Sequence, residues 1–170
     1  MHNQKYALTI LAATAIALLS GCANYRLGTT LPQHLRSIHV ETFKNATKEP
    51  QIETTITSET LREFQRDGQL KLKDPDTADI LLTGIITEYR LEPVRSNSNN
   101  PKATLEYKAI VAVNISAVER ANGKKVTSQK VTGSKVFDAN GDLMTARRRV
   151  LPEVSRELGR KVVDAVISAW

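Results

Sequence analysis

The chain has 170 residues, with 24 Lys and Arg against 18 Asp and Glu, a formal net charge of +6 and 41% hydrophobic residues. Its single Cys excludes an intramolecular disulfide and a Cys-based metal site. No segment after residue 21 has the roughly 20 consecutive apolar residues that a membrane-spanning helix needs.

The first residues read as an export signal. Lys5 supplies positive charge, and Ala7 to Leu18 is an uncharged, mostly apolar run, too short to span a bilayer and matched to the apolar core of a signal peptide. Leu19-Ser20-Gly21-Cys22 follows, with Leu at −3, small residues at −2 and −1, and then a thiol to take the lipid. The expected organisation is a lipoprotein signal peptide over 1–21, a lipidated tether over 22–36 beginning at Cys22, and one α+β domain over 37–170. A diacylglycerol on sulfur plus an N-terminal acyl group, palmitate among the possible chains, exceeds the two lipid signals that stable anchoring requires. Ala23 stands where Asp retains lipoproteins in the inner membrane of well-studied diderm bacteria, which points to the outer membrane. Cleavage after residue 21 leaves 149 residues and removes Lys5 alone among the charged side chains, so the net charge becomes +5. A basic exported protein does not meet nucleic acid. Anionic headgroups, phosphorylated glycolipid and peptidoglycan are the acidic partners open to it, beside the plainer reading of a basic solvated surface.

Ser37 to Phe43 alternates, with Ile38, Val40 and Thr42 on one face and His39, Glu41 and Phe43 on the other, which predicts a strand. Gln51 to Asp67 predicts a helix from Ile52, Ile56, Thr60 and Phe64, with Pro50 at its first turn and Gly68 as its stop. A short strand over Gln69–Lys73 and a turn at Asp74-Pro75-Asp76 lead to a central strand over Asp79–Leu91. Pro93 to Pro101 reads as a polar loop carrying Arg95, with Lys102 just after it. Thr104 to Glu119 is the clearest strand: Leu105, Tyr107, Ala109, Val111, Val113, Ile115 and Ala117 share one face. Asn122-Gly123 signals a hairpin into a Lys- and Thr-rich edge strand, Lys124 to Asp138. The last helix carries the stripe Leu151, Val154, Leu158, Val162, Ala165 and Ala169, and Pro152 sets its start near Leu151 or kinks it if it begins at Thr145. This order predicts an α+β two-layer sandwich, a mostly antiparallel four- to five-stranded sheet with two helices on one face.

No catalytic constellation is visible. His34 and His39 lack partners at metal spacing, and no nucleophile elbow, zinc-protease motif or phosphate-binding loop occurs. The reading is a non-enzyme without metal or cofactor. Two basic groups remain as candidate anion sites: Arg147-Arg148-Arg149 just before the last helix, and Arg95 with Lys102 flanking the polar loop. Arg pairs bidentately with phosphate and is weakly hydrated. The competing reading of the Arg run is a solvated helix end with one Arg paired to Glu153.

Taken in order, several segments resemble the LptE family of outer-membrane lipopolysaccharide-assembly lipoproteins. They are Tyr25-Arg26-Leu27-Gly28-Thr29-Thr30 with Pro32 after the lipidated Cys, Ser37-Ile38-His39-Val40, Leu61 to Gly68 followed by Leu70-Lys71-Leu72, Glu106-Tyr107 with Val111, Val113-Asn114 and Val118, and Val136-Phe137-Asp138. The resemblance implies a plug inside a large outer-membrane β-barrel translocon, helping the barrel assemble and lipopolysaccharide reach the cell surface. It also implies lipopolysaccharide binding by loop cations, with Arg147 the better positional match and Arg95 the poorer. Two other readings stand beside it: a lipoprotein activator of a peptidoglycan synthase, and an envelope hydrolase, for which no nucleophile and base are seen.

Overall fold

The computed structural model describes residues 31–32, 34–97, 100–139 and 142–170, the side chains of 95–97 and 100–105 excepted. The signal peptide and Cys22 lie outside the described residues. The elements in order are β1 (Ser37–Val40), β2 (Lys44–Asn45), α1 (Ile52–Asp67), β3 (Lys71–Leu72), β4 (Ile80–Asn97), β5 (Asn100–Glu119), β6 (Lys125–Asp138) and α2 (Leu143–Ile167). They form an α+β sandwich around one six-stranded sheet of order β3-β1-β4-β5-β6, with β2 also on β4.

The three long strands pair antiparallel, as the sequence predicts. The sheet as a whole is mixed, because β1 runs parallel to both β3 and β4, and β2 runs parallel to β4. The cause is α1. It carries the chain back along the sheet, so β3 re-enters beside β1 in the same direction, the usual result of a helical crossover.

The alternation expected over Ser37–Phe43 breaks after Val40. Val40 pairs with Leu82 and Lys44 with Ile85, so residues 41–43 oppose only residues 83–84 of β4. This extra residue moves Phe43 to the core face, where it is 1% exposed, and leaves Thr42 exposed. The Phe43 N–H, released from the ladder, donates to Thr57 Oγ1 at 3.0 Å. A second bulge at Thr87 shifts the inward face of β4 from Ile80, Leu82 and Ile86 to Tyr89 and Leu91.

Ile52, Ile56, Thr60 and Phe64 are buried as predicted. Pro50 precedes the helix, and Gln51 caps it in a left-handed conformation. At the other end Gly68 takes φ 75° and donates its N–H to Phe64 O at 3.0 Å, a conformation that favours glycine. The predicted strand at 69–73 is a separate two-residue element, β3.

One expectation is corrected outright, and one left open is decided. Pro93 to Pro101 is not a loop. β4 and β5 run through it and close only between Asn97 and Asn100, which face each other in register. Backbone pairing between β4 and β5 holds this extension, so a polar composition that reads as a loop is compatible with strand. Of the two starts open for the last helix, the structure favours the earlier: it begins at Leu143, two residues before Thr145, because Asp142 accepts from the N–H groups of Met144 (2.9 Å) and Thr145 (3.2 Å). Pro152 is accommodated inside it. Its buried stripe is Val154, Leu158, Val162, Val163 and Val166, while Ala169 lies exposed beyond the helix end.

Both helices cover the face of Val111, Val113 and Ile115. α2 approaches β6 so closely that a Cβ on Gly133 would stand 2.8 Å from Leu158 Cβ, which leaves room for glycine alone. Tyr107, expected in the core, is only half-buried and stacks on Phe137, with ring centroids 6.0 Å apart. On the opposite face Ile110 and Ala112 are buried although no helix covers them. Their cross-strand neighbours are Arg90, Ser134, Glu88 and Thr132, and Arg90 forms ion pairs with Glu88 and Glu92. Leu31 and Leu35, assigned to the tether by sequence, are core residues, 4% and 2% exposed.

Candidate functional site

The strands sort the molecule into two ends. β1, β3 and β4 start, and β5 finishes, at the end where Leu31 and Leu35 enter the core. The far end holds the β4–β5 hairpin, the close of β6 and the start of α2. Every cation singled out from the sequence belongs to this far end.

Arg147, Arg148 and Arg149 sit in the second turn of α2, not before it. Successive helical residues are turned by about 100°, and the three side chains diverge accordingly. Arg147 is drawn inward. Its Nη2 donates to Glu49 Oε2 at 2.6 Å, and its guanidinium lies 5.7 Å from the centre of the Tyr89 ring. Burial raises the Tyr89 pKa, against the opposing pull of Arg147. The predicted partner of the Arg run, Glu153, instead pairs with Lys135. Arg148 and Arg149 are exposed. Arg148 acts on Asp142, whose pKa is lowered by the Thr145 hydroxyl, by the N–H groups of Met144 and Thr145, and by that Arg. The first N–H groups of α2 are therefore committed to Asp142 and do not add to an anion site at the Arg run.

Arg147 and Arg148 line a groove of about 440 Å³ with Glu49, Tyr89, Met144 and Leu151. One side of it is apolar: Met144 is 57% exposed, beside Leu151 and the Tyr89 ring. Glu49 occupies the Arg147 guanidinium, so the charge free to meet an external anion is that of Arg148, with Arg149 beside it. The arrangement suits a ligand with a phosphate and an apolar portion.

Arg95 lies on β4 opposite Glu106, and Lys102 lies on β5; their side chains are outside the described residues. Arg95 is six residues beyond Tyr89, on the order of 20 Å along the strand. The fold thus places all five cations at one end and gathers Arg147 and Arg148 into one groove. Sequence reasoning missed Glu49, Tyr89 and Met144. Glu49 sits 98 residues from Arg147 and has no local signal.

Among the described residues no group of His, Cys, Asp and Glu is arranged to hold a metal, and no helix is long and apolar enough to cross a membrane. His39 has Nδ1 at 3.0 Å from Lys73 O.

The architecture defines a two-helix, one-sheet α+β sandwich that recurs in solved structures of low identity. Protein XCC0632 of Xanthomonas campestris superposes with a TM-score of 0.61 at 10% identity, over 84% of this chain and 89% of that one. Protein CT253 of Chlamydia trachomatis gives 0.56 at 10% identity, over 79% and 96%. A PelC dodecamer from Paraburkholderia phytofirmans gives 0.54 at 17% identity, over 82% and 94%. These likenesses establish the fold alone. No curated protein matches the sequence. The family model described as LptE, lipopolysaccharide-assembly, matches residues 35–166, and the chain belongs to that family.

Proposed function

We propose that this protein is a non-enzymatic outer-membrane lipoprotein, anchored through Cys22 and facing the periplasm. It plugs a β-barrel lipopolysaccharide translocon, helps that barrel assemble, and assists lipopolysaccharide delivery to the cell surface. The family match over residues 35–166 carries the reading. A barrel lumen is polar, and the uncovered sheet face suits it: Glu88, Arg90, Glu92 and Lys130 form an ion-paired network there. Lipopolysaccharide is bound directly at the far end, with Arg148 and Arg149 meeting its phosphates, Arg95 and Lys102 contributing from the hairpin, and Arg147 holding the groove in shape.

Affinity purification of the lipidated protein from membranes tests the reading. A large outer-membrane barrel is expected to stay bound, and depletion of the protein is expected to lower the amount of correctly assembled barrel. Recovery of a peptidoglycan synthase without a barrel would instead establish the activator reading.

A further inference from the structure

We propose that the groove where β3 meets β1 is a second anion-binding surface, which rests on the anionic headgroups of the membrane that anchors the chain. The inference depends on the anchor at Cys22 proposed above.

The groove has a volume of about 590 Å³ and is lined by Arg36, Ser37, Lys71 and Lys73, with Asp67 and Gln69. Backbone pairing fixes its cations. The Lys71 N–H donates to Arg36 O at 2.9 Å and the Lys73 N–H to Ile38 O at 3.0 Å. Lys71 and Lys73 are two residues apart on extended chain, so both point to the same side. All three cations are exposed, and none forms an ion pair among the described residues. Most other cations of the helices and sheet face differ: Arg62, Arg66, Arg90, Lys130, Lys135, Arg147, Arg156, Arg160 and Lys161 each have a carboxylate. The groove's own carboxylate, Asp67, accepts from the Gln69 N–H at 3.1 Å. Nearby Asp79 accepts from the Arg36 N–H and Ser37 Oγ and also feels Lys73. Three cations against the single carboxylate lining the groove leave a local positive excess.

Chain length selects the occupant. Leu31 is already in the core, and it lies nine residues after Cys22. Nine residues reach at most about 30 Å, so an anchored molecule keeps this end near the bilayer. β4 has 18 residues, on the order of 60 Å of strand, and carries the far hairpin away. Surface charges act over about 8–10 Å at physiological salt. The Arg run stands beside Tyr89, nine residues into β4 and on the order of 30 Å from its start, which exceeds that range when the near groove is against the headgroups.

The test uses the mature chain with Cys22→Ser, which has the groove without acyl chains. It is sedimented with phosphatidylcholine vesicles made with and without phosphatidylglycerol. Binding is expected only with phosphatidylglycerol. It should fall about tenfold or more in Arg36→Glu/Lys71→Glu/Lys73→Glu, given the attraction of each surface cation to an anionic membrane, and persist in Arg148→Glu/Arg149→Glu. No binding to either vesicle, or equal loss in both variants, would overturn the proposal. Palmitate labelling of the native chain reports on the anchor independently, so a labelled Cys22 with an inert groove would sink this inference alone. Circular dichroism of the groove variant checks that it is folded.

Discussion

The two ends of the sheet are built on different principles. At the near end β1, β3, β4 and β5 meet beneath the entering Leu31 and Leu35, and Asp79 ties β4 to β1 through Ser37 Oγ at 2.7 Å and the Arg36 N–H at 3.0 Å. At the far end the β4–β5 ladder runs on past the exposed Pro93 and Val94, with register shifts between Pro93 and Asn97. Near-end order rests on burial and the Asp79 hydrogen bonds, that of the far hairpin on backbone pairing of β4 with β5. An end fixed by burial suits attachment. One that extends beyond the core can present cations to a ligand without disturbing it.

The largest expected effect is at the near end. Cys22→Ser should abolish incorporation of labelled palmitate and leave an unprocessed precursor; normal labelling would remove the anchor from the comparison. Next is the core that both ends share. Val113 is fully buried on β5, so Val113→Asp would bury an unpaired carboxylate and should cost several kcal/mol by thermal or denaturant unfolding.

The far-end cations can be tested without touching the core. Arg148→Glu/Arg149→Glu should weaken binding of purified lipopolysaccharide by more than about tenfold, as expected from the loss of charge-assisted bonds to phosphate. Its melting temperature should hardly change. Arg147→Glu should also lower stability, since it sets a carboxylate against Glu49. Charge reversal at Lys124 and Lys125, in and beside the β5–β6 turn at the opposite end, should do much less. Equal losses at both places would mean diffuse attraction and no far-end site.

The smallest effect sharpens the near end. Ser37→Ala removes a buried hydroxyl, 1% exposed, and should cost about 1 kcal/mol. Burial pushes the Asp79 pKa up, but the Ser37 hydroxyl, the Arg36 and Ser37 backbone groups and Lys73 outweigh it, so the net shift is downward. A carboxylate lowered on folding contributes its stability above the ordinary carboxylate range and loses it as pH falls through the lowered value. Acid unfolding should therefore be less steep in Ser37→Ala than in the parent, measured by the melting temperature across the acidic range.

Where one apolar face met one helical or strand period, the sequence was readable. Ile52, Ile56, Thr60 and Phe64 spaced out α1, alternate residues from Ala109 to Ala117 marked the covered side of β5, and Asn122-Gly123 marked the turn into the edge strand. The family resemblance was likewise legible from short segments in order, and the match over residues 35–166 supports it. The far hairpin was read poorly because its polar extension has no apolar period, and Pro152 left the helix start open between Leu151 and Thr145, which Asp142 decides in favour of the earlier.

The sequence by itself determined the α+β class, the two helices, the three long antiparallel strands and the family, since each depends on local periodicity or on motif order. Tertiary structure decided the rest. One surplus residue at 41–43 turned Phe43 inward, the crossover through α1 made β1 and β3 parallel, and folding brought Glu49 within 2.6 Å of Arg147. It thereby separated a structural Arg147 from an exposed Arg148 and Arg149. Three consecutive arginines are chemically alike in sequence. They come to differ only when the helix turns each toward a different environment, and the half-buried carboxylate–ring pocket that captures one of them is assembled from elements far apart in the chain.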